Sequence, residues 1–105
     1  MILCLVGDDP WSVELVIDLR VSPVVIGRSE GSDVRIDDRW ISRSHCRIES
    51  IDQRVVVTDL QSRHGTYIGK ERILQAELRD GDRLALGSSQ FVARFSRVLE
   101  PVESV

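Results

Sequence analysis

Short apolar runs with a period of two, broken by turn residues, constrain this chain more than any other feature. Val13, Leu15, Ile17 and Leu19 alternate with Glu14, Val16 and Asp18, and Cys46 and Ile48 alternate with His45, Arg47 and Glu49. Leu84 and Leu86 repeat the pattern, as do Phe91, Ala93 and Phe95 against Val92 and Arg94. Residues two apart share one face of a strand, so each run has one side to bury. Val55-Val56-Val57 is a continuous β-branched run, as expected of a strand buried on both sides. Met1 to Val6 and Val24 to Ile26 supply two further strands. The runs are separated by Asp9-Pro10, Ser22-Pro23, Glu30-Gly31-Ser32-Asp33, His64-Gly65, Gly69-Lys70, Asp80-Gly81 and Gly87-Ser88, all of them turn chemistry. Glu71 to Arg79 alone competes for a helix, through Leu74 and Leu78, but it is short and uncapped and reads as a strand followed by a loop. The pattern predicts an all-β, single-domain β-sandwich of two mainly antiparallel sheets, with ligand loops at one end.

With 105 residues, 42% of them hydrophobic, the chain has material for one core. Two Trp, two Phe and one Tyr are few, so that core must be built from Val, Ile and Leu, which favours sheet. The domain is expected over residues 1–97, with 98–105 as a flexible C-terminal tail or the start of a linker. A net charge of −3 argues against a nucleic-acid partner. Seven arginines nevertheless fall between Arg28 and Arg63, namely Arg28, Arg35, Arg39, Arg43, Arg47, Arg54 and Arg63. A local cluster within a balanced chain suits a small anion. No apolar run approaches the ~20 residues of a membrane span, and no membrane partner is expected. Met1 to Val6 has no basic region before it and is interrupted by Gly7-Asp8-Asp9, unlike a signal peptide. Cys4 and Cys46 lie in strand-like runs and read as buried, reduced thiols of a cytoplasmic protein.

Three short motifs carry the chemistry. Val25-Ile26-Gly27-Arg28 ends a strand on a guanidinium, whose planar fork of donors matches phosphate oxygens. Taken alone, Arg28 is better explained as a surface arginine paired with an acid such as Asp33. Ile41-Ser42-Arg43-Ser44-His45-Cys46 places a hydroxyl donor beside a second arginine. Asp59-Leu60-Gln61-Ser62-Arg63-His64-Gly65-Thr66 adds a third. Trp40 stands two residues before Ser42 and is either half buried at the sandwich edge or exposed.

In this order the motifs resemble the forkhead-associated (FHA) domain, a module that binds phosphothreonine peptides, and the resemblance runs from about Val24 to Phe95. It implies phosphate contacts from Arg28 and Ser42, aided by Arg43 and Arg63. His45, in the family's Ser-x-x-His, is implied to be architectural, with Gly27 and Gly65 supporting the loops. The loop of Trp40 helps read the residue three places after the phosphothreonine in related domains, so a specificity role is implied for Trp40. One position departs from the pattern. Most members carry Asn-Gly-Thr where this chain has His64-Gly65-Thr66. The imidazole can replace one of the asparagine's two contacts to the peptide backbone, but not both in the same geometry. A second Asn-Gly is replaced by Gly69-Lys70, which keeps a turn and changes its type.

Other chemistries lack their machinery. A serine hydrolase needs a base oriented by an acid and an oxyanion hole besides its serine, and Gly27-Arg28-Ser29-Glu30-Gly31 supplies only the Gly-x-Ser-x-Gly spacing. Gly-x-x-x-x-Gly-Lys-Ser/Thr is missing. His45, His64, Cys4 and Cys46 lack the close spacing that preorganises zinc. No cofactor, metal or enzymatic activity is expected. The reading is a phosphothreonine-binding module for phosphorylation-dependent protein–protein interaction in signalling. Its partner would be a kinase, a kinase substrate or another segment of the same polypeptide. The alternative, kept alive by His64, is an FHA-like scaffold or oligomerisation domain that binds partners without phosphate.

Overall fold

The computed structural model describes residues 1–8 and 14–96. Among these residues eleven strands form two sheets. In chain order they are β1 (Ile2–Gly7), β2 (Leu15–Asp18), β3 (Val24–Gly27), β4 (Val34–Arg35), β5 (Cys46–Ile51), β6 (Arg54–Asp59), β7 (Thr66–Ile68), β8 (Glu71–Ile73), β9 (Gln75–Leu78), β10 (Arg83–Leu86) and β11 (Ser89–Ser96). One sheet runs β2-β1-β11-β10-β7-β8 and the other β4-β3-β5-β6-β9. Neighbours are antiparallel except β3 and β4, which pair in parallel at Ile26↔Val34 and Gly27↔Arg35.

The period of two sets the register. Leu3 and Leu5 of β1 lie opposite Phe95 and Ala93 of β11, and Leu84 of β10 lies opposite Phe91. From the other sheet, Ile26, Cys46, Ile48, Val55, Val57 and Leu78 turn inward. All but the partly buried Phe95 are buried in one contiguous core. Full burial of a side chain such as Ile48 stabilises the fold by about 1.5–3 kcal/mol, so the aliphatic core holds the two sheets face to face.

Four details differ from the sequence reading. Val56 is only partly buried, because β6 has the other sheet on one side and solvent on its outer face. Glu71–Arg79 holds two strands rather than one. β8 pairs with β7 in the first sheet and β9 with β6 in the second, while Leu74 between them is exposed. Leucines with helical spacing here belong to a crossover between sheets, where Leu78 is buried and Leu74 is not. The second strand ends at Asp18, and Leu19–Val21 forms one turn of 3-10 helix capped by the Asp18 carboxylate. Val13 and the tail expected over 98–105 lie outside the described residues. Cys4 is partly rather than fully buried, since it faces outward on β1; both cysteines are free thiols. Burial, then the charge of Asp59, pushes the Cys46 thiol up to about 12, so it is inert at neutral pH.

β5 and β6 are joined by a two-residue hairpin, Asp52-Gln53, with φ of +50° and +65°. Both central residues therefore occupy the left-handed region, which favours Asn-Gly over a long side chain. Gln53→Gly should raise stability by about 0.5–1 kcal/mol. Chemical denaturation should show a higher midpoint at an unchanged m-value.

Candidate functional site: a cleft between three loops

β3 ends at one pole of the sandwich, and the loops that follow β3, β4 and β6 meet there. Gly27 is where two of them touch. A Cβ at that position would lie 1.9 Å from the Arg43 carbonyl oxygen and 2.7 Å from its carbon, both backbone atoms. Only glycine permits this approach. It lets the Arg28 amide donate to the Ser42 carbonyl at 3.0 Å and the Ser29 amide to the Arg43 carbonyl at 3.2 Å. The Ser32 hydroxyl donates to the same Arg43 carbonyl at 3.0 Å.

His45 ties the second loop to the third. It is fully buried. Its Nδ1 accepts from the Ser42 amide at 3.1 Å, and its Nε2 lies 2.8 Å from the Gly65 carbonyl oxygen. These partners assign the neutral tautomer with the proton on Nε2, donating to Gly65. Through both ring nitrogens His45 thus engages backbone of the second and the third loop. Gly65 has φ of +88°, and a Cβ there would sit 2.7 Å from the Arg72 side chain, so it too is constrained to glycine.

A polar cluster around Asp59 fixes the third loop. Ser62 donates through its amide at 3.2 Å and through its hydroxyl, and Thr66 donates through its hydroxyl at 2.7 Å. The Ser62 hydroxyl oxygen also accepts from the Gly65 amide at 3.0 Å. Burial by itself raises the Asp59 carboxyl pKa. The hydrogen bonds from Ser62 and Thr66 outweigh burial and leave it below the usual value.

These supports bring Arg28, Ser42, Arg63, His64 and Trp40 into one open cleft of about 160 Å³, which Arg39 and Ile41 also line. Arg28 is not paired with Asp33. Its Nε donates to the Ile41 carbonyl at 3.1 Å, and Asp33 accepts instead from the Val25 amide. The terminal nitrogens of Arg28 have no partner among the described residues, so they face the cleft with their donors unspent. The Ser42 oxygen accepts from the Arg63 amide at 3.0 Å, which leaves its hydroxyl hydrogen to donate. Arg43 is exposed beside it, outside the residues that line the cleft. Of the seven arginines, Arg28, Arg39, Arg43 and Arg63 lie in these loops, whereas Arg35, Arg47 and Arg54 belong to β4, β5 and β6.

Trp40 is 43% exposed, which settles its position at the rim. The His64 ring meets it edge to face, with centroids 5.1 Å apart. Asp38 has no signal in the sequence, and Arg39 stands there only as one of the clustered arginines. Arg39 lies over the Trp40 ring at 4.8 Å. Asp38 accepts from the Trp40 amide and from the amide of Ser88 and hydroxyls of Ser88 and Ser89, pinning this loop to the β10–β11 turn. An acid-aromatic pair beside a Gly-Ser-Ser turn fifty residues away gives no local signal of that contact.

His45→Ala should lower stability by about 2 kcal/mol or more, because it strands the Ser42 amide and the Gly65 carbonyl in a buried position. Thermal or denaturant unfolding measures it directly. Asp59 supplies a pH signature. With its folded pKa below the unfolded value of about 3.9, its contribution is present above that value and is lost as pH falls through the folded one. Asp59→Asn should therefore be less stable than wild type at neutral pH. The gap should narrow on acidification below about pH 4.

The sequence profile described as FHA domain matches residues 24–87. FhaA of Mycobacterium tuberculosis, an FHA domain-containing protein, is 33% identical over 76 residues, covering 72% of this chain and 14% of its own length. The FHA domain-containing protein PS1 of Arabidopsis thaliana is 35% identical over 94 residues, 85% of this chain and 6% of its own. The chain thus spans a small part of both relatives. Among solved structures, a domain from a study of phosphothreonine-dependent FHA domain interactions superposes with a TM-score of 0.82 at 26% identity, covering 93% of this chain and 100% of that one. The FhaA FHA domain, complexed with the intracellular domain of Rv3910, gives 0.77 at 30% identity, with 88% and 99% covered. By profile, relatives and fold, this chain belongs to the FHA domain family.

Proposed function

We propose that the domain captures a phosphothreonine-bearing segment of a partner protein in the cleft between the three loops. The carrying observation is the state of Arg28. It is held through Nε by the Ile41 carbonyl, with its terminal nitrogens unpaired beside the free hydroxyl hydrogen of Ser42. A phosphate dianion supplies the missing acceptors, and charge-assisted hydrogen bonds of this kind contribute on the order of 1.5–3 kcal/mol each. In this reading Arg28 and Ser42 hold the phosphate, Arg43 and Arg63 add charge beside it, and His64 faces the peptide backbone. Trp40 offers an apolar face to a residue farther along. The solved FHA domain relative studied for phosphothreonine-dependent interactions supports the same ligand chemistry. In this reading His45 is a loop tie and not a base, because its two ring nitrogens are engaged with backbone.

The ligand comes from outside these 105 residues, since the sequence contains two threonines, Thr58 and Thr66. Thr66 is fully buried and bonded to Asp59, and Thr58 lies within β6. A kinase, a kinase substrate or a further part of the same polypeptide would each supply such a segment.

Calorimetric titration with a phosphothreonine peptide chosen from a degenerate library tests the reading, alongside its unphosphorylated, glutamate and phosphoserine twins. The phosphothreonine form should bind. The unphosphorylated and glutamate forms should not, since a carboxylate has fewer oxygens and less charge. Phosphoserine should bind about fourfold more weakly, the value of one buried methyl at about 0.8 kcal/mol. Arg28→Ala should weaken phosphothreonine binding at least about tenfold while moving the melting temperature little. Equal binding of phosphorylated and unphosphorylated peptides would favour a phosphate-independent scaffold.

A further inference from the structure

The solvent face of the first sheet is more apolar than a water-facing sheet requires. In β1, Leu3 and Leu5 point into the core, so Ile2, Cys4 and Val6 take the opposite face, and none of the three is charged or strongly polar. The register carries this face onto the neighbouring strands. Ile2 lies opposite Asp18 and Ser96, Cys4 opposite Val16 and Arg94, and Val6 opposite Val92. Val16 is 63% exposed and Val6 39%. An antiparallel sheet with one face in water ordinarily alternates apolar and polar residues. The second sheet obeys this, since outer positions of β5 carry Arg47 and Glu49, 3.3 Å apart. An apolar stripe left open on the first sheet is the mark of a surface that another surface covers.

The flanking charges say what covers it. Burial, then the adjacent Glu14 carboxylate, raises the pKa of the Cys4 thiol, which places Glu14 at the β2 side of the stripe. Arg94 stands at the β11 side, exposed and in no ion pair among the described residues. Two further charges on this face are compensated within the chain, Asp18 by Arg20 and Arg83 by Asp8. An acid on one flank and a cation on the other make the stripe complementary to itself. A two-fold axis along β1 sets the β2 flank of one copy over the β11 flank of the other. Valines then meet valines, and each Glu14 meets the other copy's Arg94.

We propose that this face is a homodimer contact, through which a second copy of the chain covers Cys4, Val6, Val16 and Val92. Four strands spaced about 4.8 Å apart and about 20 Å long offer roughly 400 Å² of flat area per copy. That is toward the small end for a specific interface and suits a weak, reversible dimer. None of the residues lining the cleft lies on β1, β2 or β11. The contact therefore needs no phosphate, peptide binding neither makes nor breaks it, and each dimer carries two open clefts.

Sedimentation velocity of the chain in reducing buffer, from about 10 μM to 1 mM, reads the association constant. The average mass should rise from one chain toward two. Glu14→Arg and Arg94→Glu should each weaken association about tenfold, because the dimer holds the pair twice and each variant turns both attractions into repulsions. The double variant restores both pairs with the charges exchanged, and so does an equimolar mixture of the two single variants. Both should recover association to near the wild-type value, which damage to the fold cannot produce. Val16→Asp leaves both charges in place and should abolish association, and it serves as the probe if a charge reversal unfolds the chain. A monomer at every concentration would refute the dimer and leave the stripe to another part of the polypeptide or a different protein. Association that survives all of these variants, or single variants that weaken it without recovery on mixing, would refute the assignment to this face. Unchanged melting of the variants confirms that folded proteins are compared.

Discussion

The site depends on the buried imidazole of His45. One ring nitrogen holds the amide of Ser42 and the other holds the carbonyl of Gly65, so a single side chain spans the two loops that approach the cleft from different strands. Buried polar groups are costly unless paired, and His45 pairs backbone groups that would otherwise be stranded. Its own amide and carbonyl extend the tie, bonding the Ile26 carbonyl in β3 and the Leu60 amide after β6. A change at this ring would disturb Ser42 and Arg63 together, because the Arg63 amide rests on the Ser42 hydroxyl.

Around this tie the protein keeps its binding groups uncommitted. Serines, aspartates and backbone carbonyls satisfy one another beneath the surface, in the Asp59 cluster and in the Asp38 anchor. The guanidinium groups of Arg28, Arg43 and Arg63 stay above it, without carboxylate partners among the described residues. This division lets a ligand meet preorganised charge without first breaking an internal ion pair, which lowers the cost of association. The chain's net charge is −3, and of the acids near the site Asp38 and Asp59 serve as loop anchors, while the exposed Asp37 lies 3.9 Å from Arg35.

Much of the fold was legible because the core is aliphatic and one-sided. Leu3, Leu5, Ile48, Leu84 and Ala93 fall where the period of two puts them, and no large aromatic interrupts the pattern. Legibility failed where local spacing and long-range pairing disagree. Leu74 and Leu78 have a helical separation, yet a sheet crossover decides their fates. Val55-Val56-Val57 is uniform in sequence, but the outer face of β6 meets solvent. At the site, Arg28, Ser42, Arg63, His64 and Trp40 were brought to one cleft as the motifs suggested. Asp38 was not foreseen, since its significance comes from Ser88 and Ser89 rather than from any neighbour in sequence.

The central claim is that phosphate is held at the pole where the three loops meet, and not that partners lie against a sheet face. Amide chemical-shift mapping during titration with a phosphothreonine peptide addresses this directly. The account predicts saturable shifts at Arg28, Ser42, Arg43, Arg63 and His64, little change along β1, β2 and β11, and no such shifts with the unphosphorylated peptide. Shifts confined to the outer sheet faces, or identical shifts with both peptides, would contradict it.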